Sequence, residues 1–309
     1  MVLAIGNFDG VHRGHQAILS EARRIARERE LPFAVMTFDP HPVALLKPEH
    51  APGVLTPFSM KKLLLESMSV NTLIVIKDSI DLLNLSPQDF VDQFLMENLA
   101  PSVVVEGPDF NFGYGRSGNV ETLRELGAQR GFEVVEVPFT EALLRSDSDE
   151  EMVKCSSTQI RQFLQRGQVK YASQILGRLY RLVGKTVKGR GVGRQLGFPT
   201  ANIKPTGQII PAEGVYAGYV VVGDSFDEVA FGGLRRAAAI SIGRAKTFVS
   251  DYPLLLEAHL LENKVEDLRG KWLALDFMRF IRHQQRFDSH EQLREQIQKD
   301  TERAELMLF

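Results

Sequence analysis

Short apolar runs alternate with segments of helical periodicity along the first 137 residues or so. The runs at residues 2–5, 33–37, 72–76, 102–105 and 132–137 are rich in β-branched side chains and have the length of buried strands. Between them, residues 16–28, 86–99 and 120–130 carry apolar side chains at helical spacing, and Ser86 supplies an N-cap for the second of these helices. This alternation predicts a parallel α/β sheet with crossover helices.

The pattern changes after residue 176. Residues 156–176 predict two short helices, and from Gly177 to about Phe280 the chain is punctuated by glycine, with β-rich segments at 182–187, 215–222 and 254–261. A C-terminal helix is expected from about Ser289, which forms a capping-box pattern with Gln292. We therefore predict two domains, residues 1–176 and 177–309, the second an antiparallel β-barrel closed by a C-terminal helix.

Composition narrows the class of partner. The chain of 309 residues has 37 Lys and Arg against 39 Asp and Glu, without a long run of like charge. This balance favours small-molecule substrates over nucleic acid or a membrane surface. The single cysteine, Cys155, predicts a reducing compartment. Because neither a secretion signal nor a run of about 18 apolar residues is found, we expect a cytoplasmic protein. The sequence indicates no particular oligomeric state.

The most informative string is GNFDGVHRGH at residues 6–15, where the first strand ends and a helix begins. Ligands of parallel α/β sheets bind at such places. His12 and His15, with Gly14 between them at a helix N-terminus, could aim ring donors and backbone N–H groups at one phosphate. Phosphoryl and nucleotidyl transfer depend on donors placed in this way. For the two histidines alone, a chance surface pair or a metal site remains an alternative.

The whole string resembles the HxGH signature of nucleotidyltransferases in its extended form GxFDGxHxGH. That form is found in prokaryotic bifunctional riboflavin kinase/FMN adenylyltransferases. The resemblance implies a Rossmann-like first domain, His12 and His15 as catalytic residues, and an ATP site that includes Gly6, Phe8, Asp9 and Gly14.

Three further segments of the first domain resemble this family. Residues 37–42 are similar to its TFxPHP segment, and residues 107–113 to its flavin-contacting xDFxFG segment, which implies that Asp109, Phe110 and Asn111 bind flavin. Residues 155–161 resemble its SSTxIR motif.

The hydroxyl residues of this last motif have a physical interpretation. Ser156, Ser157 and Thr158 could cap a helix and donate to phosphates, and Arg161, one turn further on, could reach the β- and γ-phosphates of ATP. An ordinary helix cap is the alternative for the hydroxyl residues alone.

One glycine pattern is set aside. Residues 113–118 match GxGxxG, the dinucleotide fingerprint, and precede a predicted helix. They follow the fourth strand at a distance of several residues, so the tight turn after a first strand is missing. We interpret them as a loop of the flavin site. Because no GxxxxGK[ST] sequence occurs in the chain, a P-loop cannot hold ATP.

The second domain contains a basic glycine loop followed by a hydroxyl and an amide two residues apart, at Thr200 and Asn202. In a strand these two side chains face the same side and could bind one Mg²⁺. The loop residues that could wrap phosphates are Gly189, Gly193, Arg194 and Gly197. On composition alone, a hairpin loop with solvated charges is the alternative. Residues 189–202 resemble the riboflavin kinase signature GxxxGRxLGFPTAN.

Further kinase-like segments follow. Residues 256–261 are similar to the family's VEVHLL strand, which implies that Glu257 is the base for the 5′-hydroxyl of riboflavin. His259 shares its face, and we assign it a structural role. Arg282 lies in a stretch that resembles the family's closing loop and helix, and it is expected to contact flavin. Where the family commonly reads NIGxxPTF, this chain has Ser241 and Lys246 in place of an asparagine and a proline, which puts the kinase site partly in doubt.

We therefore expect FAD biosynthesis in two steps. Riboflavin and ATP would give FMN and ADP in the second domain, and FMN and ATP would give FAD and pyrophosphate in the first, both with Mg²⁺. The alternatives are an FMN adenylyltransferase with an impaired kinase domain, a flavin-binding protein without turnover, and nucleotidyl transfer to another phosphorylated small molecule.

Overall fold

The computed structural model describes residues 1–77, 80–145, 149–189, 192–244, 254–262 and 267–309, with the side chains of Val192 and Arg194 excepted. The chain divides into two compact units. The first comprises residues 1–142 and 152–156, and the second residues 143–151 and 157–309. Within the described residues, no helix has the length and apolar character needed to cross a membrane.

The first unit is built on a five-stranded parallel sheet. The strands that lie wholly in this unit are β1 (Val2–Ile5), β2 (Phe33–Phe38), β3 (Thr72–Ile76), β4 (Val103–Glu106), β5 (Asn111–Phe112), β6 (Gly118–Asn119) and β7 (Glu133–Glu136). The helices are α1 (Arg13–Glu28), α2 (Pro42–Leu46), α3 (Phe58–Ser67), α4 (Ile80–Leu83), α5 (Pro87–Asp89) and α6 (Val120–Arg130). The sheet order is β3-β2-β1-β4-β7, which confirms the predicted parallel α/β domain.

The strand order reverses at β1. The chain passes from β1 outward to β2 and β3, then returns to the other side of β1 to form β4. All four residues of β1 are buried, because sheet neighbours flank the strand on both sides. A switch point of this kind leaves a crevice at the carboxyl ends of the two diverging strands, and ligands bind there.

The helix predicted over residues 86–99 is not a regular α-helix. Ser86 caps α5 by accepting a hydrogen bond from the backbone N–H of Asp89, as its N-cap pattern indicates. From Phe90 to Met96 the chain then continues as a π-helix. The wider turn of the π-helix still buries Phe90, Val91 and Leu95 against the sheet. The spacing of apolar residues therefore could not show whether this segment is an α-helix or a π-helix.

Apart from β8 (Glu141–Arg145) and β9 (Glu150–Lys154), which contain residues of both units, the remaining elements belong to the second unit. The two-stranded sheet of β8 and β9 precedes α7 (Ser157–Gln165) and α8 (Val169–Leu176). The later strands are β10 (Tyr180–Val187), β11 (Ala201–Pro205), β12 (Gly214–Gly223), β13 (Arg236–Arg244), β14 (Leu254–Leu260) and β15 (Trp272–Arg282). The later helices are α9 (Val192–Gln195), α10 (Phe226–Ala230) and α11 (His290–Leu308).

The six later strands form a closed antiparallel barrel in the order β10-β11-β14-β13-β12-β15. Ser289 caps α11 by accepting from the backbone N–H of Gln292 at 3.2 Å. The predicted barrel and its C-terminal helix are therefore confirmed. Closure removes the unpaired strand edges that an open sheet of this size would expose.

A buried ion pair joins β10 to β15. The guanidinium of Arg181 donates two hydrogen bonds of 2.7 Å to Asp276, and both side chains are almost inaccessible to solvent. Arg181 also donates to the backbone oxygens of Val229 and Gly232, and Arg235 donates to Asp276. Asp276 therefore holds two arginines and, through one of them, the segment that follows β12.

We predict that Asp276→Ala lowers the free energy of unfolding of the barrel by about 3–5 kcal/mol, because it leaves the buried Arg181 charge without its partner. Trp272, the single tryptophan of the chain, lies on β15 and reports barrel unfolding by its fluorescence in denaturant. Asp267→Ala is the matched control, since its pair with Arg269 is exposed and should contribute far less to stability. Equal effects of the two substitutions would refute the prediction.

Candidate functional sites

The loop after β1 has an uncommon backbone. Phe8, Gly10 and Val11 have φ angles of 47°, 86° and 38°, in the left-handed region that side chains other than glycine rarely adopt. Phe8 and Val11 are nevertheless buried, so packing holds them in this conformation. The loop thus turns tightly from β1 into α1.

The side chain of Asp9 ties this loop to a neighbouring segment of the chain. The carboxylate of Asp9 accepts hydrogen bonds from the backbone N–H groups of Leu55 and Thr56, at 3.1 and 3.0 Å. Asp9, which was predicted to bind ATP, therefore holds the loop in place through these hydrogen bonds. Any contact of Asp9 with nucleotide would come in addition to these bonds.

Lys61 is a residue that the sequence analysis missed. Its ammonium group donates to the backbone oxygen of Asn7 at 3.0 Å, to the hydroxyl of Thr37 at 3.2 Å and to the backbone oxygen of Phe38 at 3.3 Å. Burial lowers its pKa from the usual value, against the attraction of Asp9 and Asp39. It fixes the carboxyl ends of β1 and β2. Its position on the buried face of α3, among Met60, Leu64 and Leu65, was the available signal.

His12 and His15 lie together at the N-terminus of α1. Their rings are stacked with centroids 3.6 Å apart, and Phe8 meets His15 edge-on at 5.2 Å. His12 is the N-cap residue, and its Nδ1 accepts a hydrogen bond from the backbone N–H of His15. In a neutral ring this leaves the proton on Nε2. A ring N–H donor and the N-terminus of a helix are therefore brought to one place, as an anion site requires.

Gly14 lies in a tightly packed position. A Cβ atom at this position would lie 3.2 Å from the backbone oxygen of Cys155 and 3.2 Å from the ring of His12. The glycine thus lets the chain before the SSTxIR segment approach the histidine helix. Gly6 is similarly close to the Phe8 ring, at 3.2 Å.

The predicted flavin segment follows β4. Asp109 and Asn111 are exposed, and the side chain of Asn111 donates to the backbone oxygen of Asp109 at 2.7 Å. The carboxylate of Asp109 pairs with Lys154 at 2.9 Å. Phe110 is half-buried, with its ring 5.6 Å from that of Phe112.

Residues 113–118 form a 3₁₀ turn and a short strand before α6, rather than the tight turn of a dinucleotide fold. The other residues predicted to contact phosphates in the first domain lie at the start of α7. Ser156 precedes the helix, Ser157 and Thr158 belong to its first turn, and Arg161 is one turn further on. This order matches the predicted arrangement of hydroxyl groups and arginine along one helix start.

In the second unit, two glycines pack against the predicted metal ligands. A Cβ at Gly189 would collide with the side-chain amide of Asn202, and a Cβ at Gly193 would lie 3.1 Å from the hydroxyl oxygen of Thr200. Gly197 has a φ of 90° and needs to be glycine for that reason. The glycine loop and Thr200–Asn202 are therefore adjacent. The side chain of Arg194 lies outside the described residues.

Three polar residues form a row across neighbouring strands of the barrel. Asn202 on β11 is the register partner of Glu257 on β14, and Glu257 is in turn the partner of Ser241 on β13. Directly opposed residues in antiparallel strands have Cβ atoms about 4.5–5.5 Å apart and project from the same face. Leu256 and Ala258 point into the barrel, so the row lies on the outer face and is half-buried.

Neighbours of this row help to position it. The Gln284 amide donates to the Ser241 hydroxyl at 2.9 Å, so this departure from the family pattern is integrated into the site. The ring nitrogen Nδ1 of His259 lies 2.9 Å from the backbone oxygen of Pro199, next to Phe198. This contact favours the structural role assigned to His259. Lys246, the other departure, lies outside the described residues.

Arg282, predicted to contact flavin, has a second partner. Its guanidinium donates to Asp300 of α11 at 2.6 and 2.8 Å and to the backbone oxygen of His283. Both members of the pair are largely buried. Arg282 therefore fastens the C-terminal helix to the end of β15, whatever contact it makes with a ligand.

Comparisons with known proteins agree with the two-part architecture. A family model described as FAD synthetase matches residues 1–149, and one described as riboflavin kinase matches residues 176–308. A crystal structure of a protein from Streptococcus pneumoniae, named a macrolide-efflux protein, has a TM-score of 0.82 at 28% identity and covers 98% of this chain and 93% of its own. The chain shares that protein's fold over nearly its whole length.

Curated relatives match over nearly the whole chain. It is 34% identical over 299 residues to the bifunctional riboflavin kinase/FMN adenylyltransferase of Escherichia coli (strain K12), covering 97% of this chain and 90% of the relative. It is 35% identical over 304 residues to the protein of the same name from Pseudomonas fluorescens, covering 98% and 91%. The resemblance found in the motifs is confirmed: the chain belongs to the family of bifunctional riboflavin kinase/FMN adenylyltransferases.

Proposed function

We propose that the two reactions of this family are divided between the two domains, with boundaries at residues 1–176 and 177–309. The barrel phosphorylates riboflavin with ATP, and the α/β domain adenylylates the resulting FMN. The observation that supports adenylylation in the α/β domain is the stacked His12–His15 pair at the N-terminus of α1, beside the switch point of the sheet. Buried Cys155 and the small substrates fit a cytoplasmic enzyme.

In the first domain, a phosphate oxygen of FMN attacks the α-phosphorus of ATP, and the bond from that phosphorus to the bridging oxygen breaks to release pyrophosphate. His12 and His15 stabilise the negative charge that grows on the α-phosphate oxygens. Arg161 and the hydroxyl groups of Ser156, Ser157 and Thr158 hold the departing β- and γ-phosphates. Protein nucleophiles take no part. Asp109, Phe110 and Asn111 contact the flavin.

In the second domain, the 5′-hydroxyl of riboflavin attacks the γ-phosphorus of ATP, and ADP leaves. Glu257 accepts the hydroxyl proton. The register Asn202–Glu257–Ser241 supports this role, because it sets a carboxylate beside the amide that would face the phosphates. The glycine loop, with Gly189, Gly193, Arg194 and Gly197, encloses the phosphates.

Mg²⁺ fits the donors present. Thr200 and Asn202 supply a hydroxyl and an amide oxygen, and Mg²⁺ commonly takes one or two protein ligands together with substrate phosphates and water. No group of three His, Cys, Asp or Glu side chains suited to a metal occurs among the described residues. When bound, the ion would neutralise the charge of the transferred phosphate.

A time course tests the function directly. The purified chain is incubated with ATP, Mg²⁺ and riboflavin, and riboflavin, FMN and FAD are separated by chromatography; a second series begins with FMN. We expect FMN and then FAD from riboflavin. If FAD forms from FMN but riboflavin is not consumed, the kinase is impaired, as the replacements at Ser241 and Lys246 would permit. If neither flavin is converted, the chain is a flavin-binding protein.

We predict that His15→Ala lowers kcat for FAD formation from FMN about 10²- to 10³-fold, the usual loss for one donor that stabilises transition-state charge. Riboflavin phosphorylation by the same preparation should be unchanged. His50→Ala is the control, since His50 is exposed in the same domain. A fall in both activities, or in neither, would contradict the assignment of His15.

Glu257→Gln should lower kcat for riboflavin phosphorylation about 10²- to 10⁴-fold while FAD formation from FMN stays at the wild-type rate. The amide preserves the size of the side chain but cannot accept the proton. Glu262→Gln, just beyond the same strand, is the matched control because its carboxylate pairs with Arg236 at the surface. Wild-type kinase activity in Glu257→Gln would exclude Glu257 as the base.

Asn202→Ala should raise the Mg²⁺ concentration for half-maximal riboflavin phosphorylation at least about tenfold, which corresponds to about 1.4 kcal/mol of lost binding. The measurement is a Mg²⁺ titration of the initial rate at fixed ATP. Asn98→Ala, in the other domain and exposed, serves as the control. An unchanged titration curve would remove Asn202 from the metal site.

A further inference from the structure

The crevice of the first domain opens because β1 and β4 part before either strand ends. Their backbone ladder pairs only Val2 with Val103 and Leu3 with Val104. Beyond this point β1 stays with β2, through the pair Ile5 and Met36, and β4 stays with β7, up to Glu106 and Glu136. The backbone N–H of Ile5 consequently has no ladder acceptor on its β4 side.

The side chain of Glu106 fills this gap. Its Oε1 accepts a hydrogen bond of 2.6 Å from the backbone N–H of Ile5. Glu106 is only 3% exposed, which is uncommon for a glutamate at the end of a strand. A side-chain carboxyl group therefore replaces the backbone carbonyl of a regular parallel ladder and spans the parting strands.

The environment disfavours a charge on this carboxyl group. Burial raises the pKa of Glu106 well above its usual value, and the negative charge of Asp109 acts in the same direction. The backbone N–H groups of Ile5 and Gly107 oppose these effects only in part. A raised pKa disfavours a fixed negative charge at the base of the crevice, where the phosphates of ATP and FMN would meet.

The hydrogen bond to Ile5 fixes the start of the histidine loop, residues 6–12, which follows β1. Gly6, the next residue, is held on the other side by a bond from its N–H to the backbone oxygen of Met36 at 3.0 Å. The carboxyl end of β1 is thus fixed from both sides immediately before the turn that leads to His12. If the bond on the β4 side were lost, the start of this turn could shift while its other anchors remained.

We propose that Glu106 is a positioning residue for FMN adenylylation, which sets the start of the histidine loop by bridging β1 and β4 across the crevice. It acts through the loop and need not contact substrate. This inference rests on the proposed adenylylation in the first domain but assigns a role that none of the motif residues fulfils.

Two substitutions separate the reach of the side chain from its charge. Glu106→Gln keeps the length and an oxygen acceptor but cannot carry a negative charge, whereas Glu106→Asp keeps the carboxyl group and withdraws it by one C–C bond, about 1.5 Å. For FAD formation from FMN, we expect Glu106→Gln to stay within about threefold of the wild-type kcat. We expect Glu106→Asp to lose about 10- to 100-fold in kcat with a smaller change in KM, as for a reacting group displaced by about an ångström.

The two activities and the histidine signals of the chain distinguish positioning from damage to the fold. Riboflavin phosphorylation measures the second domain in each preparation, and NMR of ¹³C-labelled histidine follows the stacked His12 and His15 rings, assigned with His12→Gln and His15→Gln. Their signals should move in Glu106→Asp and remain in place in Glu106→Gln. Glu136→Gln and Glu136→Asp, at the exposed register partner on β7, should change neither rate nor spectrum.

Three results would overturn the proposal. The first is a Glu106→Asp variant that forms FAD within twofold of the wild-type rate. The second is an equal loss in both variants with unmoved ring signals, which would assign a direct chemical role to the carboxyl group. The third is a Glu106→Asp spectrum in which His12 and His15 give unfolded signals, which would make Glu106 a residue of the fold alone. A wild-type chain that makes no FAD would instead refute the adenylylation itself, before any variant is compared.

Discussion

The first site depends on the separation of two strands that begin as neighbours. A parallel sheet stabilises itself through a continuous ladder, yet β1 and β4 share only two register pairs before they diverge. The divergence makes room for a ligand at the switch point and leaves the end of β1 in need of other partners. Glu106 on one side and Lys61 near the other provide them. In the turn that follows, packing keeps Phe8 and Val11 in a left-handed conformation, which costs about 1–3 kcal/mol at each residue.

The second site is made by register instead of divergence. Asn202, Glu257 and Ser241 come from three strands and lie side by side because antiparallel pairing aligns them. The alternation of side chains along β14 puts Leu256 and Ala258 in the barrel core, which fixes Glu257 on the outer face. A slip of one residue would exchange these faces, so the burial of two apolar neighbours determines where the carboxylate lies. Closure of the barrel holds the register from both sides of every strand.

The sequence predicted most of what depends on local pattern. β1 and β3 have the predicted bounds, and the other parallel strands differ by one or two residues. It did not predict that α1 begins at Arg13, because its N-cap is His12 rather than one of the usual capping residues. The motifs named the histidines and Asp9, but not Glu106 or Lys61, the other charged residues that hold their loop. A glutamate after three valines has the pattern of a strand reaching solvent, and the signal for Lys61 was its position among the apolar residues of α3. Their burial depends on contacts 101 and 54 residues away along the chain.

The roles proposed for Glu106 and Glu257 place different demands on burial. Glu257, which we propose as the base, lies half-buried with an amide and a hydroxyl as its register partners on the neighbouring strands. Glu106 lies in a closed gap where burial favours the neutral acid, and there an ionised group would repel the phosphates. The two environments arise from the two sheet types. Where β1 and β4 separate, the side chain of Glu106 is enclosed between the two strands. Where β11, β14 and β13 pair continuously, the side chain of Glu257 lies on the outer face of the barrel. The chemistry available to each carboxyl group is therefore set by how the strands around it are paired.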